Sequence, residues 1–85
     1  MGSIRSKIAG LGYYVPETVV SNKELEKLMD TTDAWIQERT GIVERRYGTP
    51  HLETTTTIGA RAAKNAIEMA GIQAEEIDFI IFATL

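Results

Sequence analysis

The longest regular alternation of hydrophobic and polar positions predicts a helix over residues 56–70. Ile58, Ala62 and Ala66 recur at helical spacing with polar side chains between them, and Gly71 follows as a stop signal. The small side chains on the apolar side predict close packing against a sheet or another helix. The four threonines around its start predict a side-chain cap.

Two further apolar segments predict strands. Ile4–Val15 starts with nearly alternating apolar residues and passes through Gly10 and Gly12 into a loop. Those glycines weaken a strand unless a neighbouring backbone comes close, which is the reason we expect for them. Phe79–Leu85 is a continuous apolar run, typical of a strand buried on both faces. Strand, helix and buried strand predict a right-handed parallel crossover of an α/β fold, which further polypeptide must complete.

Between these segments, capping residues predict two short helices. Ser21 and Glu24 have capping-box spacing and predict a helix over about residues 22–29, with Asn22 as a competing cap. A second helix is expected between Thr32, a plausible N-cap, and Gly41, at the position after the helix end.

The segment after the second helix is expected to be extended and then to turn. Residues 42–48 begin with β-branched side chains and alternate in character, which predicts a short extended piece ending in the turn Gly48–Pro50. His51 follows that turn in a polar run, where a solvated loop histidine without a functional role is expected.

Composition narrows the class of protein. The chain has 85 residues, 44% of them hydrophobic and 25% charged, which is typical of a globular protein. A net charge of −3 gives no reason to expect nucleic acid or an anionic membrane as a partner. No apolar run approaches the roughly 20 residues that a spanning helix needs, so we expect a cytoplasmic protein. There is no cysteine, so thiolate metal sites and a cysteine nucleophile on this chain are excluded, and no other metal cluster is apparent. Gly2 fits an acylation pattern, but without a second anchoring signal we expect no lipidation.

One tryptophan lies in a charged segment and suggests a binding surface. Trp35 and Arg39 are four residues apart and are therefore neighbours on one face of a helix, while Ile36 can anchor that helix inward. An indole beside a guanidinium, with Arg45 and Arg46 nearby in sequence, suits a heterocycle that carries phosphates. The alternative is that the tryptophan fills the core. In that case Arg39 would pair with an acidic neighbour, namely Asp33, Glu38 or Glu44.

The same segment resembles a known family. "DTTDAWIQERTGIVERR", Asp30–Arg46, looks like a signature of β-ketoacyl-acyl-carrier-protein synthase III, the condensing enzyme that starts fatty-acid synthesis. "IAGLGYYVPETVVSN", "AAKNAIEMAGI" and "IDFIIFATL" resemble the family's opening strand and loop, its next helix and its next core strand.

This resemblance implies a fold and a reaction. The fold is an α/β, thiolase-like, five-layered (αβαβα) fold, and residues 1–85 would be the N-terminal segment of its first half-domain. The complete enzyme would be a homodimer that condenses an acyl-CoA primer with malonyl-acyl-carrier protein, without a cofactor. Its catalytic cysteine, histidine and asparagine would lie beyond Leu85, so no catalytic residue is expected here.

The resemblance also implies site residues and partners. Trp35 would stack on the adenine of coenzyme A, with Thr31 and Arg39 contacting the same nucleotide. The partners would be acyl-CoA, acyl-carrier protein and the remainder of the enzyme, which could be a separate chain. A related synthase of secondary metabolism and a non-catalytic fragment remain the alternatives.

Overall fold

The computed structural model describes residues 4–85. Met1–Ser3, with the candidate acylation site Gly2, lie outside the described residues. The chain divides into two compact units. We call residues 15–58 the sheet unit, and residues 4–14 with 59–85 the helix unit.

The sheet unit consists of a two-stranded sheet and two short helices. Its elements, in chain order, are β1 (Thr18–Ser21), α1 (Asn22–Leu28), α2 (Asp33–Thr40) and β2 (Glu44–Tyr47). The strands are antiparallel, with Val20 opposite Arg45. Val20, Leu25 and Ile36 form its small buried core. The predicted extended piece at residues 42–48 is confirmed as β2, but β1 was not predicted.

The predicted caps are present. The Ser21 hydroxyl accepts a hydrogen bond from the backbone N–H of Glu24 at 3.2 Å, and the Thr32 hydroxyl accepts one from Trp35 at 3.1 Å. Gly41 ends α2 with a φ of 73°, in the left-handed region where a side chain is strained. These local hydrogen bonds explain why both helices begin at the predicted residues.

The predicted long helix is confirmed as α3 (Thr55–Ala70). The hydroxyls of Thr54 and Thr57 cap it reciprocally, each accepting a hydrogen bond from the backbone N–H of the other at 3.3 and 2.8 Å. Gly71 follows with a φ of 71°. A short 3-10 helix, Ala74–Glu76, follows α3 in a polar segment. His51 lies exposed in a turn, as expected.

In the helix unit, the backbone around Gly10 and Gly12 lies directly against α3. A Cβ on Gly12 would come within 2.3 Å of the Ala66 nitrogen, and one on Gly10 within 2.5 Å of the Ala66 oxygen. Asn65 donates from its side chain to the Tyr13 carbonyl at 3.0 Å. The predicted close packing of the alanine side of α3 is therefore confirmed, but its partner is this glycine segment and not a sheet or another helix.

The predicted crossover of parallel strands is absent from residues 4–85. Ile4–Val15 and Phe79–Leu85 form no strand, and the paired strands in the described part of the chain are antiparallel. The expectation that Phe79–Leu85 is buried on both faces is also wrong here, because Phe79 and Ile81 are 81% and 85% exposed. A strand is defined by hydrogen bonds to a neighbour, and neither segment has such a neighbour within residues 4–85.

Candidate functional site

Helix α2 exposes its tryptophan and buries the isoleucine beside it. Trp35 is 51% exposed, whereas Ile36 is 8% exposed and belongs to the core of the sheet unit. Successive residues on a helix are about a third of a turn apart, so burying one leaves the other at the edge of the buried face. The alternative that Trp35 fills the core is therefore wrong, and the indole is accessible to a ligand.

The guanidinium of Arg39 lies over the Trp35 ring, 5.3 Å from the ring centroid. This cation–π geometry is the one that the four-residue spacing predicted. Within residues 4–85, Arg39 makes no ion pair, so the alternative pairing with an acidic neighbour is not observed. Its N–H groups remain available for an anion.

A shallow pocket opens beside the indole at the start of α2. Its volume is about 250 Å³, and it is lined by Asp30, Thr31, Thr32 and Trp35. The backbone N–H of Thr31 donates to the Met29 carbonyl at 2.9 Å. Two of the predicted site residues, Thr31 and Trp35, therefore line one pocket, and the third, Arg39, lies over the same indole.

Arg45 and Arg46 do not join this surface. Arg45 donates to the Asn22 side-chain oxygen at 2.6 Å and to the Val20 carbonyl at 3.2 Å, and it is half-buried. Arg46 donates to the Pro16 carbonyl at 2.8 Å. Both arginines are close to Trp35 in sequence, but their guanidinium groups donate hydrogen bonds to other residues of the sheet unit. Arg39 is the cation at the indole.

Sequence reasoning missed the role of Asn22. It is not a cap but a buried residue, 1% exposed, whose amide donates to Asp33 Oδ1 and to the Ile42 carbonyl, each at 2.8 Å. A signal was available, because Asn22 stands three residues before Leu25 and so shares its buried helix face. A polar side chain on that face needs hydrogen-bond partners inside the protein.

Hydrogen bonds to Asp33 perturb its titration. Donation from Asn22, and then from Gln37, lowers the pKa of the Asp33 carboxyl below its ordinary value of 3.8, with a smaller contribution from the charge of Lys23. Partial desolvation opposes this shift. The carboxylate also has the Glu26 side chain nearby, since Glu26 accepts from the Asp33 backbone N–H at 2.7 Å.

The lowered pKa predicts acid sensitivity of the sheet unit. Because the folded-state pKa lies below the unfolded one, the stabilisation is complete above the unfolded value and is lost as pH falls through the folded value. We expect the free energy of unfolding, measured with urea and Trp35 fluorescence, to decrease once the pH is lowered past about 4. Asp33→Asn should reduce that fall, whereas Asp30→Asn, which leaves both hydrogen bonds intact, should not. Identical acid profiles for the protein and Asp33→Asn would contradict the prediction.

The part of the chain that the structure describes has no group of three or more residues able to hold a metal ion. None of its helices is long and apolar enough to cross a membrane.

The chain is similar in sequence and in structure to several known enzymes. No family model matches the sequence. The β-ketoacyl-[acyl-carrier-protein] synthase III of Shewanella oneidensis is 53% identical over 81 residues, which is 95% of this chain and 25% of that protein. The crystal structure of 3-oxoacyl-[acyl-carrier-protein] synthase III from Aquifex aeolicus matches 85% of this chain and 23% of its own, with 47% identity and a TM-score of 0.77. The priming β-ketosynthase of the R1128 polyketide pathway matches 85% of this chain and 21% of its own, with 43% identity and a TM-score of 0.78.

In fold and in sequence, the chain is thus similar to part of the β-ketoacyl synthases. Within that class it matches the β-ketoacyl-[acyl-carrier-protein] synthases III, so the resemblance found in Asp30–Arg46 is confirmed. The chain spans about a quarter of the length of the curated relatives it matches. The predicted fold class, incomplete on this chain, is confirmed as well.

Proposed function

We propose that this chain forms part of the coenzyme A entrance of a β-ketoacyl-acyl-carrier-protein synthase III. The observation that carries the proposal is the half-exposed Trp35 indole with the Arg39 guanidinium 5.3 Å from its centroid. Exposing an aromatic plane to water is unfavourable in free energy. A flat base that stacks on the plane removes it from water.

The charges at the pocket suggest how the nucleotide lies. Asp30 lines the pocket next to the indole, so its carboxylate disfavours phosphates there. Arg39 is one helical turn further along α2 and favours phosphates on that side. We therefore propose that the adenine stacks on Trp35 toward the pocket, within reach of the Thr31 hydroxyl, and that the phosphates lie toward Arg39.

The proposed reaction is a condensation that needs residues outside this chain. The acyl group of an acyl-CoA primer passes to a cysteine thiolate, and coenzyme A leaves as the thiol. Malonyl-acyl-carrier protein then loses carbon dioxide, and its carbanion attacks the thioester to give 3-oxoacyl-acyl-carrier protein and the free cysteine. This chain has no cysteine, so the nucleophile would belong to the remainder of the enzyme. From the family resemblance, we propose that the histidine and asparagine that assist it lie there as well. We propose a cytoplasmic homodimer that needs no cofactor.

A second candidate function is priming in secondary metabolism. The observation in favour of this function is the structural match to the R1128 priming β-ketosynthase, with a TM-score of 0.78. The two functions differ in the acyl primer, so rates with a series of acyl-CoA esters, measured on the complete enzyme, distinguish them. The remaining alternative, a non-catalytic fragment, predicts no specific coenzyme A binding at all.

Ligand-induced quenching of Trp35 tests the proposed site. Trp35 is the only tryptophan in the chain, so its fluorescence reports this surface. We expect coenzyme A and adenosine 3′,5′-bisphosphate to quench it saturably, because both bring an adenine onto the indole. Pantetheine, which lacks the nucleotide, is the matched control and should not quench. Absence of saturable quenching by coenzyme A would overturn the proposal, and equal quenching by pantetheine would contradict adenine stacking.

A further inference from the structure

The buried amide of Asn22 holds both ends of the helix that carries the proposed site. One of its N–H groups donates to Asp33, the first residue of α2, and the other donates to the carbonyl of Ile42, just beyond the end of that helix. The side-chain oxygen accepts from Arg45 on β2 at 2.6 Å, and the backbone N–H donates to Val43 at 3.0 Å. One side chain thus links β2 to the first residue of α2 and to the segment just after that helix.

Every polar atom of this side chain is used, which makes asparagine specific here. Aspartate would lack both donors and would place a second carboxylate against Asp33. An apolar residue of similar size would remove the side-chain donor to the Ile42 carbonyl and one of the two acceptors of the Arg45 guanidinium, which would keep only its bond to the Val20 carbonyl. Asn22 is buried, so the amide end of these part-buried bonds is shielded from water and they hold geometry better than fully exposed ones. The other contact at the start of α2, from Asp33 to the exposed Glu26, competes with solvent.

From this arrangement we infer that Asn22 is a positioning residue for the Trp35–Arg39 surface. It touches neither side chain and acts through the placement of α2 against the sheet unit. A stacking site tolerates little tilt of the aromatic plane, so a support that fixes both ends of a two-turn helix sets the angle of the indole. The inference rests on the proposed function, because it takes coenzyme A binding as the reason why α2 must be held in place.

The test compares two destabilising variants, of which one removes the Asn22 amide and the other leaves it in place. Asn22→Ala removes the bonds to α2. Val20→Ala removes core volume from β1 and leaves those bonds in place, so it controls for destabilisation. Under conditions where far-UV circular dichroism shows every variant folded, we expect Asn22→Ala to weaken coenzyme A binding about tenfold, and Val20→Ala to leave it unchanged. Equal affinity of Asn22→Ala and the unmodified protein would overturn the inference.

A spectroscopic readout separates positioning from stability. The indole N–H of Trp35 gives a single proton–nitrogen NMR peak. It should shift in Asn22→Ala and stay in place in Val20→Ala. If Asn22→Ala does not fold, Asp33→Ala decides, because it cuts the same link from the α2 side and leaves the Ile42 and Arg45 bonds in place. An unmoved peak in the variant that folds overturns the inference.

Failure of the proposed function would be distinguishable from failure of the positioning role. If the unmodified protein does not bind coenzyme A, the proposed function is overturned, together with the purpose assigned to the placement of α2. The indole peak still shows whether Asn22 orients Trp35. If the protein binds coenzyme A and Asn22→Ala binds it equally well, only the positioning role is overturned.

Discussion

Gly12→Ala is expected to detach residues 10–14 from α3. The added Cβ would lie 2.3 Å from the Ala66 nitrogen, 2.6 Å from the Ala62 oxygen and 2.8 Å from the Asn65 carbonyl carbon. All three are backbone atoms of a helix, which cannot move aside as a side chain can. Overpacking costs about 1 to 3 kcal/mol even in cores that can adjust. The helix unit has no buried side chain among its described residues to offset that cost, so we expect the segment to separate.

Hydrogen exchange and circular dichroism measure this detachment. Amides of α3 should lose protection in Gly12→Ala, and the helix signal should melt at lower urea concentration. Gly59→Ala is the matched control, because its Cβ would meet only the Phe82 ring, which is more than half exposed and can turn away. Alanine also favours a helix interior over glycine by about 1 kcal/mol, so this control should remain close to the original stability. Unchanged exchange in Gly12→Ala would contradict the close approach.

Trp35→Ala is expected to weaken coenzyme A binding by about 1 to 3 kcal/mol, the scale of base stacking on aromatic side chains. The indole supplies the plane on which the proposed adenine lies, and its loss also removes the surface that Arg39 covers. Calorimetric titration of the protein with coenzyme A measures the change directly. In the complete enzyme, the Michaelis constant for the acyl-CoA primer should rise correspondingly.

The matched control for this substitution retains an aromatic plane. Trp35→Phe should lose only part of the affinity, because a smaller ring still stacks. Unfolding by urea, followed by circular dichroism, should barely change in either variant, since Ile36 and not Trp35 supplies the buried contact. Unaltered coenzyme A affinity in Trp35→Ala would remove Trp35 from the proposed site.

Features that depend on neighbouring residues were predictable from the sequence. The three helices and the caps at Ser21 and Thr32 arise from hydrogen bonds that close within a few residues, and both helix starts were confirmed. The Trp35–Arg39 contact is equally local, because helical spacing alone brings residues four apart together. The roles of Thr31, Trp35 and Arg39 in coenzyme A binding stay predictions that come from the family resemblance.

Features that depend on distant partners were not predictable in the same way. Strand β1 forms because residues 44–47 lie opposite it, and nothing within Thr18–Ser21 specifies that partner. Phe79–Leu85 has the sequence of a buried strand, but it forms none without a neighbour to accept and donate its backbone hydrogen bonds.

By itself, the sequence determined the helices, their caps and the tryptophan–arginine pair, because each depends on spacing of a few residues along one helix. Only the tertiary structure decided that Trp35 is exposed, that Arg45 serves Asn22 instead of the indole, and that Asn22 is buried between α2 and β2. Burial and long-range hydrogen bonds depend on which segments meet in space, and hydrophobic periodicity does not encode that choice.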